Sequence, residues 1–220
     1  MDNMERCYSN VKGRRALNFK SFSMINFINP SKEKPFLLIK EKYHEALKKN
    51  QKNIEAISVA SYSKTNSFVD SRYVNLKIID GESFIFFSNY ESPKSKQFEE
   101  HNQISALIYW STINTQIRIN GLIRRTNRKF NQLYFSKRNF KKNALAISSK
   151  QSQPIASYHN VRARYNEVLN SDSLDICPDY WGGFIFEPST IEIWKGEENR
   201  LNRREKFARI DGWKKVTLSP

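Results

Sequence analysis

Arg72-Tyr73-Val74-Asn75-Leu76-Lys77-Ile78-Ile79-Asp80-Gly81-Glu82-Ser83-Phe84-Ile85-Phe86-Phe87 is the stretch that decides the fold of this 220-residue chain. Its first half alternates. Val74, Leu76 and Ile78 share one parity and Tyr73, Asn75 and Lys77 the other, the period of a strand with one buried face. Asp80-Gly81 follows, and then the apolar run Ser83 to Phe87. Asp-Gly between two such runs marks a hairpin, because both residues tolerate positive φ.

Outward from this hairpin, more strands are expected. Ile54 to Tyr62 carries Ile57 and Val59 on one parity. Ile104 to Trp110 and Thr115 to Leu122 form a second antiparallel pair, in which Ile117 and Ile119 alternate with Gln116, Arg118 and Asn120. Gly183 to Phe186, Ile191 to Trp194, Lys206 to Ile210 and Trp213 to Leu218 complete the set, the last two joined by Asp211-Gly212. Phe36, Ile39, Tyr43 and Leu47 fall at helical spacing from Pro35 to about Asn50, and proline suits a first helical turn. Shorter helices are expected over Lys94 to His101, Asn127 to Arg138 and Val161 to Leu169. About eight short strands with hairpin turns predict an α+β chain, mainly β: an antiparallel barrel with peripheral helices. Residues 1 to 34 show no period and read as a flexible arm, leaving 35 to 220 as one domain without an internal repeat.

Composition narrows the function classes. Lys and Arg number 37 against 22 Asp and Glu, a net charge of +15. Such an excess favours anionic partners: phosphorylated small molecules, nucleic acid or an anionic surface. Nucleic acid is the weaker expectation, because the aromatics do not interleave with the basic runs as stacking platforms would. No apolar run is long enough to span a bilayer, and the first residues do not form a signal peptide, so no membrane role and a cytoplasmic location are expected. Cys7 and Cys177 lack metal-ligand spacing, so no metal site is expected.

Several residues suit an anion. Arg72 and Lys77 put cations on a strand, although a strand lysine is also an ordinary solvated charge. Ser92-Pro93-Lys94-Ser95-Lys96 stands at a helix start, where backbone N–H groups and cations attract phosphate. Gln116 projects from a polar strand face, and Gln151 and Ser152 precede Pro154 in a loop.

In this order, Ser71 to Lys77, Gln151-Ser152-Gln153-Pro154, and Trp181-Gly182-Gly183 leading to Trp194 and Asn199 to Arg204 resemble the pyridoxamine (pyridoxine) 5′-phosphate oxidase family. Phe86-Phe87-Ser88-Asn89-Tyr90-Glu91-Ser92-Pro93-Lys94 is similar to the family's Phe-Phe-Thr-Asn-Tyr-Glu-Ser-Arg-Lys, and Gln116-Ile117-Arg118 to its Gln-Val-Arg. The resemblance spans about Pro35 to Pro220. It implies a split β-barrel, a homodimer, and flavin mononucleotide (FMN) bound at the dimer interface. The implied FMN contacts are Arg72, Tyr73, Val74, Asn75, Leu76, Lys77, Phe87, Ser88, Lys94, Gln116, Gln151, Ser152, Trp194 and Arg204. The implied substrate phosphate holders are Lys77, Tyr134 and Arg138, with Lys142 where the family has a serine. Arg200 and Asn202 would flank the reacting group.

The implied reaction is oxidation of pyridoxamine or pyridoxine 5′-phosphate to pyridoxal 5′-phosphate by hydride transfer to FMN, with O2 reduced to hydrogen peroxide. The departures are specific. Pro93 stands for an arginine, Asn202 for a histidine and Arg203 for an aspartate. They leave two further readings: a family member with a changed substrate, as in phenazine pathways, or a flavin- or pyridoxal-phosphate-binding protein without turnover. The aromatics Phe84, Phe86, Phe87, Tyr109 and Trp110 are expected to supply apolar surface for the dimer.

Overall fold

A computed structural model of the chain describes residues 24–171 and 173–220. Among these described residues, nine strands and five α-helices follow in order: β1 (Asn26–Ile28), α1 (Lys34–Lys48), β2 (Ala56–Ser63), β3 (Phe68–Asp80), β4 (Ser83–Asn89), α2 (Pro93–Glu100), β5 (Gln103–Trp110), β6 (Thr115–Arg125), α3 (Arg128–Ser136), α4 (Phe140–Ser148), α5 (Tyr158–Leu169), β7 (Trp181–Lys195), β8 (Arg203–Ile210) and β9 (Gly212–Leu218). Six strands close a mainly antiparallel barrel, running β3-β2-β5-β6-β7-β4 and back to β3. Two long strands make closure possible by changing partners along their length. β3 pairs with β2 through residues 68–75 and with β4 through 76–80. β7 pairs with β4 through 181–186 and with β8 through 190–195.

Alternation fills the interior. Ile57, Val59, Leu76, Phe84, Phe86, Ile117, Ile191 and Phe186 are all fully buried. α1 stops one end of the barrel with Phe36, Ile39 and Tyr43. Trp110 joins this plug and donates its indole N–H to the Ile54 carbonyl at 3.0 Å, so its polar atom is satisfied inside the core. A second cluster lies outside the ring, where Phe130, Tyr134 and Phe135 of α3 pack on Ile78, Ile85, Trp181 and Ile185.

Four expectations are corrected. Leu76 and Ile78 do not share a face: Leu76 is in the barrel core and Ile78 in the outer cluster. The ladder shifts register between them, Leu76 opposing Phe86 and Ile78 opposing Ile85, so a β-bulge at Lys77 flips the parity. The hairpin turn is Gly81-Glu82, with positive φ on Gly81 alone, because Asp80 still pairs with Ser83. The strands expected at 183–186 and 191–194 are one strand, β7, whose apparent break at Pro188-Ser189 is a bulge opposite Asn120-Gly121. The arm expected over 1 to 34 falls mainly outside the described residues, and its described part is packed: β1 runs parallel to β3, Ile25 is buried, and the Ile25 N–H donates to Tyr43 Oη at 3.2 Å.

Of the five aromatics expected to serve the dimer, Phe84, Phe86 and Trp110 are core. Phe87 is stacked between rings of the outer cluster. Tyr109 alone stands open, on an outer sheet face with Val69, Tyr73, Leu107 and Leu122.

Candidate functional site

Lys77 is the extra residue of the bulge on β3, and bulges are frequent beside sites. Its ammonium sits 3.5 Å from Glu55 Oε1, and both side chains are largely buried. Burial holds the Lys77 pKa below the ordinary lysine value, and Glu55 pulls it back up. Lys142 and Arg138 press it down again.

Those two cations come from the start of α4 and the turn after α3. Asn127 caps α3 by accepting the Phe130 N–H at 2.8 Å, and Asn139 caps α4 by accepting the Lys141 N–H at 3.0 Å. Arg138 lies between the two helices. It donates to the Lys142 carbonyl at 3.1 Å and to Asn143 Oδ1 at 3.2 Å, which fixes Lys142 beside it. Its guanidinium also lies 5.0 Å from the Trp181 ring centroid. Tyr134, one turn earlier, stacks on Phe87 at 3.7 Å and 14°, and Phe87 stacks on Trp181 at 5.1 Å and 7°. Burial raises the Tyr134 hydroxyl well above the ordinary tyrosine value, so it remains a hydrogen-bond donor at neutral pH.

A second cation group forms where α2 begins. Pro93 opens the helix and Lys94 follows, 5% exposed, its ammonium donating to Ser92 Oγ at 2.9 Å. Burial, reinforced by the charge of Arg72 and opposed by Asp70, lowers the Lys94 pKa to about 8. Arg72 is heavily engaged within the chain. It pairs with Asp70 and donates to Ser61 Oγ at 2.5 Å and Gln97 Oε1 at 3.1 Å.

Both groups open onto one cavity of about 400 Å3, within the range of small-molecule sites. Its walls include Arg72, Tyr73, Val74, Asn75, Lys77, Phe87, Ser88 and Lys94 from the barrel side, and Tyr134, Arg138, Lys142 and Gln151 from the helical side. Sequence reasoning missed Asn89, Leu145, Ala146, Ser149 and Trp181 in this wall. α4, which brings Leu145 and Ala146 and is followed by Ser149, was legible in the Asn139 cap preceding an apolar-spaced segment.

The remaining expected residues lie elsewhere. Leu76 is fully buried in the barrel core and does not line the cavity. Ser152 is exposed, with φ of 66°, beside Gln151. Gln116, Trp194 and Arg204 form one row across three strands, Gln116 opposing Trp194 and Trp194 opposing Arg204. The row faces out of the barrel and does not line the cavity. Glu192, buried in the same face, fixes Arg204 by accepting from its Nε at 2.9 Å, and lies 3.4 Å from Arg118. Arg200 and Asn202 occupy the turn between β7 and β8, next to this row in the chain. Asn202 Oδ1 accepts the Glu197 N–H at 3.3 Å, and Asn199 and Arg200 both have positive φ, at 53° and 63°. The expected site residues thus form two groups, a cavity group and a sheet-face group.

The fold and the sequence have known counterparts. Residues 39–172 match the sequence profile described as pyridoxamine 5′-phosphate oxidase. Residues 181–220 match that of the pyridoxine 5′-phosphate oxidase C-terminal dimerisation region. The chain is 31% identical over 191 residues to pyridoxine/pyridoxamine 5′-phosphate oxidase 1 of Hydrogenovibrio crunogenus, covering 84% of this chain and 88% of the relative. It is 35% identical over 170 residues to the pyridoxine/pyridoxamine 5′-phosphate oxidase of Colwellia psychrerythraea, covering 76% and 77%. Among solved structures, PhzG from Burkholderia lata, in complex with tetrahydrophenazine-1-carboxylic acid, superposes with a TM-score of 0.79 at 24% identity over 94% of this chain and 98% of that one. A pyridoxamine 5′-phosphate oxidase-related, FMN-binding protein from Nostoc punctiforme gives 0.67 at 12% identity, covering 82% and 96%.

Proposed function

This chain belongs to the pyridoxamine 5′-phosphate oxidase family, and we propose that it is an FMN-dependent oxidase of pyridoxamine or pyridoxine 5′-phosphate acting as a homodimer. The observation that carries the reading is the single cavity holding two cation groups, each suited to one phosphate. Lys94 at the α2 N-terminus, with Arg72 behind it, suits the FMN phosphate: a buried cation and helical N–H groups favour a dianion together. Pro93 offers neither a cation nor an N–H there. Lys77, Arg138 and Lys142, with the Tyr134 hydroxyl, suit the substrate phosphate. The stacked rings of Phe87, Tyr134 and Trp181 stiffen that end of the wall.

The sheet-face group completes the reading. Gln116, Trp194 and Arg204 offer an amide, an indole and a fixed guanidinium on an open face, the donors and cover that a flavin ring edge and phosphate use. They can serve the cavity of a second copy, which fits the match of residues 181–220 to a dimerisation region. FMN held by these residues would supply the redox chemistry, uptake of a hydride from the substrate and, with a proton, two-electron reduction of O2 to hydrogen peroxide. The chain's part is to bind, orient and exclude water. Arg200 offers a charge to the reacting end, and Asn202 hydrogen bonds without a titratable proton.

Peroxide release tests this. Purified protein with FMN should release hydrogen peroxide on addition of pyridoxamine 5′-phosphate. Asn202→His should raise turnover, by up to ~100-fold where proton sharing and positioning limit the wild type. No peroxide from either protein, with no binding of pyridoxal 5′-phosphate, would remove the substrate assignment.

A further inference from the structure

Glu55 is a carboxylate paired with Lys77, one of the cavity's cations. It closes the segment before β2, and its backbone carbonyl accepts the Leu76 N–H at 2.8 Å, so it is anchored to β3 one residue before the bulge. Its side chain reaches the Lys77 ammonium, 3.5 Å away, with side-chain exposures of 15% for Glu55 and 12% for Lys77. Glu55 does not line the cavity, whereas Lys77 does. The carboxylate therefore stands behind the lysine, on the side away from an incoming ligand.

The charged and titratable groups around Lys77 are few. Glu55 lies behind it, while Arg138 after α3 and Lys142 in α4 share the cavity with it. Tyr134 of α3 lines the same wall. Tyr43 of α1 feels the Glu55 charge from the core side, and its hydroxyl accepts the Ile25 N–H. Lys77, Arg138 and Lys142 thus share this end of the cavity, and Glu55 backs Lys77. A bulge residue without that anchor would have several rotamers open to it and a burial penalty on its charge.

We propose that Glu55 is a positioning residue: it holds the Lys77 ammonium at the bulge, charged and aimed into the cavity, for the phosphate of the substrate. This rests on the substrate reading above. An ammonium has three donors, so it can keep Glu55 and still donate to a phosphate. The pair also explains how a buried lysine between two other cations stays useful to an anion. Without Glu55, burial and the fields of Arg138 and Lys142 weigh more heavily and favour the neutral amine.

The test compares Glu55→Gln and Glu55→Asp with wild type in the full chain loaded with FMN. Affinity for pyridoxal 5′-phosphate and for inorganic phosphate is measured across pH, with flavin content as a control for folding. Glu55→Gln should keep its flavin and lose affinity for both probes by on the order of tenfold, the scale of one charge-assisted hydrogen bond. Its affinity should also begin to fall at lower pH than in wild type, because an unsupported Lys77 loses its proton sooner. Glu55→Asp should recover most of the affinity and the wild-type pH limb. Tighter binding by Glu55→Gln would show that Glu55 competes with the ligand, and it would overturn the proposal. So would an unchanged pH limb, or loss of flavin in both variants together. If wild type binds inorganic phosphate but not pyridoxal 5′-phosphate, the substrate reading fails, and the same comparison on phosphate still judges Glu55. If wild type binds neither, the proposal falls.

Discussion

Lys94 is a lysine buried to 5% exposure, at a helix start, with its pKa lowered to about 8. Its folded pKa lies below the ordinary value of about 10.4, so the folded chain without ligand binds fewer protons than the unfolded chain between those pH values. Its stability contribution therefore rises with pH across that window, and at neutral pH the buried charge opposes folding. A bound phosphate reverses the balance, because it favours the charged form. FMN affinity should be flat below pH 8 and decline above it by as much as tenfold per unit, while riboflavin, lacking the phosphate, should show no such decline. Fluorescence titration of apoprotein with both flavins checks this, and parallel curves would remove Lys94 from the phosphate site. This residue was legible in the sequence: Ser92-Pro93-Lys94 announces a helix start. Its burial, and the occupation of Arg72 by Ser61 and Gln97, were not, because Ser61 and Gln97 are brought in by β2 and α2.

At the scale of elements, the informative departures from simple alternation are the two bulges. Lys77 reads as the next polar residue of a regular strand, and a strict period would set it beside Tyr73 and Asn75. The bulge leaves Lys77 on the cavity with Tyr73 and Asn75 and moves Ile78 into the cluster under α3. One sequence carries no signal for a bulge between Leu76 and Ile78, since apolar residues on either parity read equally well. The second bulge lets β7 continue past Pro188, and Gly121 sits opposite. A Cβ added at Gly121 would come within 2.1 Å of the Glu187 carbonyl oxygen, a backbone atom that cannot swing away. Gly121→Ala should therefore cost about 1–3 kcal/mol, the usual scale for forcing atoms into packed space. For a chain of this size that lowers the melting temperature by roughly 2–4 °C per kcal/mol, readable by calorimetry. An unchanged melting temperature would mean that the strand crossing is looser than the geometry shows.

For the whole molecule, hairpin signals and strand parity made the antiparallel barrel legible, and the ordered motifs pointed to the split-barrel family. The division of the site residues into two groups was not legible, because chain order does not show which face a strand residue meets. One cavity holds Lys77, Lys94, Tyr134 and Arg138, while Gln116, Trp194 and Arg204 look outward from a sheet face. That face also exposes Val69, Tyr73, Leu107, Tyr109 and Leu122, apolar area that a second copy would cover. A two-fold dimer would bring each face to the partner's cavity, since a self-complementary interface repeats every contact. The net charge of +15 works against association at low salt, so the apolar face and shared ligands must outweigh that repulsion.

Complementation tests the shared site most directly. Lys94→Ala damages the cavity half, and Arg204→Ala damages the sheet-face half. Each variant alone should be dimeric with weak FMN retention. Co-folded in equal amounts, half the dimers pair unlike chains, and each of those carries one undamaged site. FMN retention should then return to roughly a quarter of the wild-type sites, as two-fold symmetry requires. Retention that stays at the level of the separate variants, or a wild-type monomer that holds FMN at micromolar concentration, would contradict a site built from two chains.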